Sequence, residues 1–488
     1  MSLVFSSSDS EVIGRSVNLS KNECMKLSSE DLEEEYELKK CVHWIKENGY
    51  TKIALQFPDE MLINCTAVCM AIQKEVNCQV FVLADTSYGS CCVDEIAAEH
   101  VSADAIIHFG RSCLSSTSRL PVLYVFGKQP LDSFHAVEEF KKTFHDNESH
   151  VVLLYDVVYS HSAPQVYEEL QKSYPNLLIG KLDITLSLLS QHGNSEQIMN
   201  NICSASVIRR CGRLINLPSD QVIDDYCIFY IGLETLSLKN FLVNFSKCRF
   251  CVYDPIRKNS RWFNIEGSRL LKRSYYLIEC VKDARIIGIL VGTLAVSNYR
   301  DIIDRLKTII KLAGKKSYTL IMGKINPAKI ANFPEIDVFV LVACGENSLI
   351  DSKEYYKPIV TPFEVELGCN KAREWTGDYI SDFRELLPGS SAYADIVPVE
   401  RKDFDVSLVT GRVRVLGSED TDESQNDGTV AVRNDMLALS ALHANSEFLL
   451  NRSWRGLEQK LGETPVAITT EGQKGIASRY EGEGQESS

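Results

Sequence analysis

The chain has no apolar run near the ~18 residues needed to cross a bilayer, so no membrane span is expected. Its start, Met1-Ser2-Leu3-Val4-Phe5 followed by serines, lacks the basic segment and long apolar core of a secretory leader. Positive charge is in deficit. The 52 Lys+Arg against 66 Asp+Glu leave a net charge of −14, which argues against a nucleic-acid-binding surface. With 14 Pro and 27 Gly in 488 residues, the chain is not of low-complexity or collagen-like composition. The Gly-x-Gly-x-x-Gly and Walker spacings are missing too. Gly288-Ile289-Leu290-Val291-Gly292-Thr293 follows an apolar run but fits neither, so nucleotide binding has only weak support.

What remains is a globular composition, 44% apolar and 24% charged, with 16 Cys. The length suits about three domains of roughly 150 residues. Without a leader, and with enough apolar residues for a sizeable core, the cysteines read as reduced thiols of a cytoplasmic protein rather than as disulfides. Most of them, such as Cys65, Cys69, Cys227 and Cys280, lie in apolar strand-like or helix-like runs, where a thiol acts as a small hydrophobe.

Residues 1–33 are polar and Ser/Glu-rich, and an amphipathic helix pattern begins near Tyr36–Val42. Strand and helix signals then alternate, the mark of parallel α/β units. Strands are expected at Lys52–Phe57, Gln79–Ala84, Ala105–Phe109 and Val122–Phe126, again at Val151–Val158, Leu177–Lys181, Tyr226–Ile231 and Phe250–Asp254, and again at Ala284–Val291, Tyr318–Met322, Asp337–Ala343 and Lys357–Val360. Helices are expected at Glu60–Val76, Val93–Val101, Asn298–Ala313 and just after Pro327. The pattern predicts an α/β fold of three repeated domains with parallel sheets, at residues 34–146, 147–270 and 271–400. A disordered N-terminus would precede them, and an extension at 401–488 would follow. In that extension a strand is expected at Asp405–Val409, an acidic linker at Ser418–Ser424, a helix at Leu437–Leu450 and a polar tail beyond Gly472. Trp454, between Arg452 and Arg455, is either a docking segment or a ring packed back on its own domain.

Three cysteine sites stand at the ends of strand-like runs. They are Cys91-Cys92, in the segment Asp85–Asp94; Cys113, after His108-Phe109-Gly110-Arg111-Ser112; and Cys344, after Val340-Leu341-Val342-Ala343. Ligands of open α/β sheets gather beyond the carboxyl ends of strands, so these thiols can converge in the fold. Three thiolates around a soft metal centre leave one coordination position open, as in an iron–sulfur cluster that reacts or passes electrons. Cys91 and Cys92 are adjacent, so only one of them is expected to bind metal while the other packs beside it. The residues leave open which one.

Rival chemistries stay open at this level. Cys248-Arg249-Phe250-Cys251 has zinc-like spacing but no matching second pair. His108, five residues before Cys113, could activate a nucleophilic thiol or be a hydrogen-bonded core histidine. Asp59, Glu364 and Glu366 could line a pocket or serve as acids at helix N-termini.

Leu55-Gln56-Phe57-Pro58-Asp59-Glu60, Asp85–Asp94, Ile106-Ile107-His108-Phe109-Gly110, Ala331–Val340 and Leu387-Pro388-Gly389-Ser390 resemble the diphthamide biosynthesis proteins, over roughly residues 35–400 and again at Arg452–Val466. The resemblance implies three α/β domains around a [4Fe-4S] cluster. It implies a complex that cleaves S-adenosylmethionine and transfers a 3-amino-3-carboxypropyl group to a histidine of translation elongation factor 2. Cys91 or Cys92, Cys113 and Cys344 match the family's ligands. The middle unit ends its third strand at Gly232, and Cys203, Cys211 and Cys227 do not fit the middle-domain motif. That is the pattern of the second subunit, which supports or reduces the catalytic one. The implied partners are diphthamide biosynthesis protein 1 as catalytic subunit, where S-adenosylmethionine would bind, a small electron-carrying metalloprotein, and a J-domain iron-binding cochaperone.

Overall fold

The structure is a computed structural model that describes residues 29–83, 90–117, 119–184, 207–218, 221–323, 325–350, 354–397, 404–409, 411, 413–415, 475–476 and 479–480. The first part of the Asp85–Asp94 segment, Cys203, the acidic linker, the helix expected at Leu437–Leu450 and the Trp454 segment lie outside the described residues. Contacts divide the chain into two units, residues 1–419 and 420–488. The described part of the second unit is a short antiparallel hairpin, Gly475–Ile476 with Arg479–Tyr480.

In the first unit, helices α1 (Ser29–Glu35) and α2 (Leu38–Asn48) lead into a sheet of β1 (Lys52–Gln56), β2 (Gln79–Leu83), β3 (Ala105–Phe109) and β4 (Val122–Val125). Between them run α3 (Cys65–Glu75) and the short α4 (Glu95–His100). All pairings are parallel, in the order β2-β1-β3-β4. Parallel strands covered on both faces are nearly continuous apolar runs, and every residue of β3 is buried, with His108 its one polar side chain.

The middle of the chain forms α5 (Ser133–Thr143), β5 (Val151–Tyr155), α6 (Ala163–Gln171), β6 (Leu177–Ile179), β7 (Lys181–Leu182), β8 (Val207–Arg210), β9 (Arg213–Asn216), β10 (Cys227–Ile231), α7 (Leu236–Asn244), β11 (Arg249–Asp254) and β12 (Asn259–Trp262). Strands β6-β5-β10-β11 are parallel neighbours, with β12 antiparallel at the edge. Strands β7, β9 and β8 make a small antiparallel sheet of their own that the strand pattern did not predict.

The last third contains α8 (Asn264–Asp283), β13 (Ile286–Val291), α9 (Tyr299–Leu312), β14 (Lys316–Ile321), α10 (Pro327–Ala331), β15 (Val338–Val342), β16 (Ile359–Val360) and α11 (Pro362–Cys369), with the parallel order β14-β13-β15-β16. Helix α9 buries Ile302, Ile303, Leu306, Ile309 and Ile310, the three-and-four spacing of one helix face. A hairpin of β17 (Phe404–Val406) and β18 (Val413–Val415) follows.

The three main sheets share one strand order: second, first, third, fourth. This is the expected repeat. The cut at residue 270 falls inside α8, which runs unbroken from Asn264 to Asp283, so a division between the second and third sheets moves to one end of that helix. Among the described residues no helix is long and apolar enough to cross a membrane.

Candidate metal centre

In each sheet the first and third strands lie side by side while their connections leave in opposite directions. The carboxyl ends at such a switch point open a crevice. In the first sheet that crevice lies beyond β1 and β3, and in the third beyond β13 and β15.

Gly110 ends β3 with φ +81°, and a Cβ there would lie 2.9 Å from Pro58 Cγ. Only glycine relieves both constraints. The chain then turns through Arg111 and Ser112 to Cys113. The Cys113 N–H donates to the Cys91 carbonyl over 3.0 Å, and Ser112 Oγ donates to the same oxygen over 3.2 Å. Gln56, buried at the end of β1, donates through Nε2 to the Cys92 carbonyl (2.8 Å) and accepts from the Asp94 N–H through Oε1 (2.9 Å). Asp94 in turn caps α4 by accepting from the Ala97 N–H. His108 is fully buried in β3, with Nε2 3.2 Å from the Ser90 carbonyl. Burial pulls its pKa down to about 4, so the neutral ring holds the turn that precedes Cys91. No described hydrogen bond joins it to Cys113, and the core reading of His108 stands over the activating one.

These bonds bring together all four expected thiols. Cys344 Sγ lies 3.8 Å from Cys91 Sγ, Cys91 Sγ 3.9 Å from Cys92 Sγ, and Cys92 Sγ 3.8 Å from Cys113 Sγ. The four sulfurs are within 4.8 Å of one another. Both members of the vicinal pair face the centre, against the expectation that one would pack away, because residues 90–92 form a turn and bend rather than a strand. All fourteen described cysteines are free thiols. Hydrogen bonding with Cys344, Cys91 and Cys92, and with Ser115 Oγ at 3.2 Å, pulls the Cys113 thiol well below its usual range. Hydrogen bonding to Cys113 holds the other three up. Two donors of the loop after β15 serve the sulfurs: the Asn347 backbone N–H to Cys344 Sγ and Asn347 Nδ2 to Cys91 Sγ, both 3.4 Å.

Beside the thiols runs a charged knot that the sequence pattern missed. Arg111 Nη2 donates to Thr235 Oγ1 (2.9 Å) and to Ser237 Oγ, and lies 3.6 Å from Asp156 and 3.8 Å from Glu346. Ser237 Oγ donates to Glu346. Burial raises the Glu346 carboxyl to about 7 against the pull of Arg111. One guanidinium thus joins polar groups of all three main sheets. The available signal was that Arg111 and Glu346 each lie two residues from a flagged cysteine and carry opposite charges. Among the described residues the middle segment adds no thiol to this group, but its β8–β9 turn leans on the site. Gly212, at φ +65°, would place a Cβ 2.7 Å from Leu114 Cβ and 3.3 Å from the Cys113 carbonyl.

The other candidates resolve as structure. Cys251 is fully buried in β11, and Cys248 Sγ donates to the Ile223 carbonyl, so the zinc-like pair is core. Glu364 forms a capping box with Thr361 at the start of α11. Glu366 is fully buried between Arg305 (2.5 Å) and Arg373 (2.7 Å). Asp59 begins a 3-10 turn after β1.

Against known proteins, residues 57–380 match the family model described as diphthamide synthesis protein. The chain belongs to the diphthamide synthesis protein family. Within that family it is 44% identical to 2-(3-amino-3-carboxypropyl)histidine synthase subunit 2 of Danio rerio, across 100% of this chain and 98% of that protein. It is 38% identical to the subunit of the same name from Schizosaccharomyces pombe, across 93% and 92%. The crystal structure of Dph2 from Pyrococcus horikoshii with a 4Fe-4S cluster shares the fold at TM-score 0.52 and 19% identity, over 71% of this chain and 93% of that one.

Four sulfur donors, three of them buried, converging from three separate loops, suit a soft metal group. The sulfurs are in mutual contact, so an iron–sulfur group requires them to part. The loops that carry Cys113, Cys344 and the Cys91–Cys92 pair are separate and can move apart, while the pair itself can part only by side-chain rotation.

Proposed function

We propose that this chain is the second subunit of the synthase that performs the first step of diphthamide formation, the transfer of a 3-amino-3-carboxypropyl group from S-adenosylmethionine to a histidine of translation elongation factor 2. The observation that carries this is the four-thiol centre inside a chain that matches subunit 2 relatives along nearly their whole length. A [4Fe-4S] cluster would be held by Cys113, Cys344 and the Cys91–Cys92 pair, and when bound it supplies one-electron chemistry. The residues of this chain position the thiols, exclude water and donate hydrogen bonds to the sulfurs. The three α/β segments act as one frame for that centre. The expected setting is the cytoplasm, with neither nucleic acid nor a membrane as partner.

Catalysis and S-adenosylmethionine binding belong to the partner, diphthamide biosynthesis protein 1, and this chain alone is not catalytic. Its role is to take one electron from a small reduced metalloprotein and give one electron to the partner's cluster. A J-domain iron-binding cochaperone completes the set. The test is anaerobic single-turnover modification of elongation factor 2 by the heterodimer, with Cys91, Cys92, Cys113 and Cys344 all replaced by Ala in this subunit. A relay predicts slow turnover with the protein reductant but one full round when the partner is reduced beforehand. Unimpaired turnover under every reducing condition overturns the relay and leaves a structural subunit that stabilises its partner.

One observation favours a second reading of the centre. Three of the sulfur separations, at 3.8–3.9 Å, match the edge of about 3.8 Å that ~2.3 Å bonds set in a tetrahedron around a single zinc ion, and all four sulfurs lie within 4.8 Å of one another. Zinc without inorganic sulfide in the protein isolated without air would support that reading over the cluster.

A further inference from the structure

We propose that Cys91 and Cys92 both serve as ligands, so that four thiolates close the cluster and leave no iron free for a substrate. This presupposes the cluster proposed above.

Adjacent residues of an extended strand point to opposite sides, and one of a vicinal pair would then face away. Here the backbone turns at residues 90–92 and its carbonyls are engaged elsewhere. The Cys91 oxygen accepts from the Cys113 N–H and Ser112 Oγ, and the Cys92 oxygen accepts from Gln56 Nε2. With the peptides held this way, both side chains enter the same space, 3.9 Å apart at sulfur.

The contacts also have an order. Cys344 touches Cys91, Cys91 touches Cys92, and Cys92 touches Cys113. The vicinal pair forms the middle of a chain whose ends come from the third and first sheets, so neither member duplicates the other. Each has its own support. Asn347 donates to the Cys91 sulfur, while Gln56, whose amide side chain spans Cys92 and Asp94, fixes the backbone of Cys92.

The chemical consequence is definite. A [4Fe-4S] cluster on three thiolates keeps one iron for an outside ligand, and a cluster on four keeps none. A closed cluster passes electrons but gives the substrate no iron to bind.

The test uses the full chain purified and reconstituted with iron and sulfide without air, together with C91A and C92A. EPR of the reduced cluster is recorded with and without cyanide as the small ligand. Iron loss is followed after mild oxidation by ferricyanide. The wild type should show no cyanide-dependent change and keep its iron. Each single variant should still hold a cluster, shift its spectrum with cyanide, and yield the oxidised [3Fe-4S] signal. A wild type that responds to cyanide and sheds iron as readily as the variants overturns the four-thiolate closure. So does one variant indistinguishable from wild type. If neither variant retains a cluster, the wild-type response to cyanide and ferricyanide decides alone. A wild type with neither iron nor sulfide overturns the underlying cluster reading instead, which metal and sulfide analysis separates from the other outcomes.

Discussion

Asn347 reaches across from the loop after β15 to the sulfur of Cys91 in the first sheet's crevice, with Nδ2 3.4 Å from Sγ. The same residue's backbone N–H serves Cys344. One residue therefore binds the two sulfurs that meet across the sheets. Hydrogen bonds to cluster sulfurs stabilise the reduced, more negative state and raise its potential. Asn347→Leu removes the side-chain donor and keeps the backbone one. The midpoint potential of the reconstituted chain should fall by on the order of 40 mV, the one-electron equivalent of a ~1 kcal/mol hydrogen bond. Potentiometric titration followed by EPR measures it.

Arg111 is the cation shared by Asp156 and Glu346. Arg111→Met leaves both carboxylates in a poorly solvated knot without their partner. Breaking a buried ion pair costs about 3–5 kcal/mol, and the partial exposure of Arg111 places the expected loss near the lower end. The urea midpoint of the first unit should drop accordingly. Arg111→Lys should recover only part of it, because an ammonium cannot reproduce the guanidinium's spread of contacts.

His108 gives the stability of the fold an acid-side dependence. Its folded pKa, about 4 because of burial, lies below the ordinary 6.5. A depressed histidine contributes fully above the unfolded pKa, and the contribution is lost as pH falls from about 6.5 through 4. Linkage puts its full size on the order of 3 kcal/mol. His108→Gln keeps a donor for the Ser90 carbonyl without a titrating ring. Thermal midpoints measured from pH 7.5 down to 4.5 should fall less steeply for the variant than for the wild type. Parallel curves would refute the assignment.

Gly212 couples the middle segment to the thiols. Gly212→Ala meets two penalties: a left-handed backbone, ~1–2 kcal/mol for a residue with a Cβ, and overlap with Leu114 Cβ at 2.7 Å. The β8–β9 turn should lift from the Cys113 segment. In the cluster-free protein, Cys113 should then react faster with an aromatic disulfide reagent, read as the rate of thiol release, while Cys251 in the core should not change.

The twelve main strands and their threefold grouping are legible in the sequence, because the central parallel strands, buried on both faces, are nearly unbroken apolar runs, and the more exposed edge strands β2 and β14 still carry β-branched and aromatic residues. The four thiols were legible as well, since each follows such a run. The β7–β9–β8 sheet was not. Its strands are short and partly exposed, and Arg209, Arg210 and Arg213 interrupt any apolar pattern. Arg213 is nonetheless buried, because its guanidinium donates to the Tyr155 carbonyl and lies over the Tyr155 and Phe241 rings.

By itself, then, the sequence determined the α/β class, the repeated strand grouping and which cysteines lie in the loops that follow strands, all of which are local consequences of burial period and strand ends. Only the tertiary structure decided that Cys91 and Cys92 both face the centre, that Arg111 links all three sheets, and that Asn347 and Gln56 hold the thiol loops. Those are contacts between segments up to 256 residues apart. They depend on how sheet edges and turns meet in space, and no spacing along the chain encodes such a meeting.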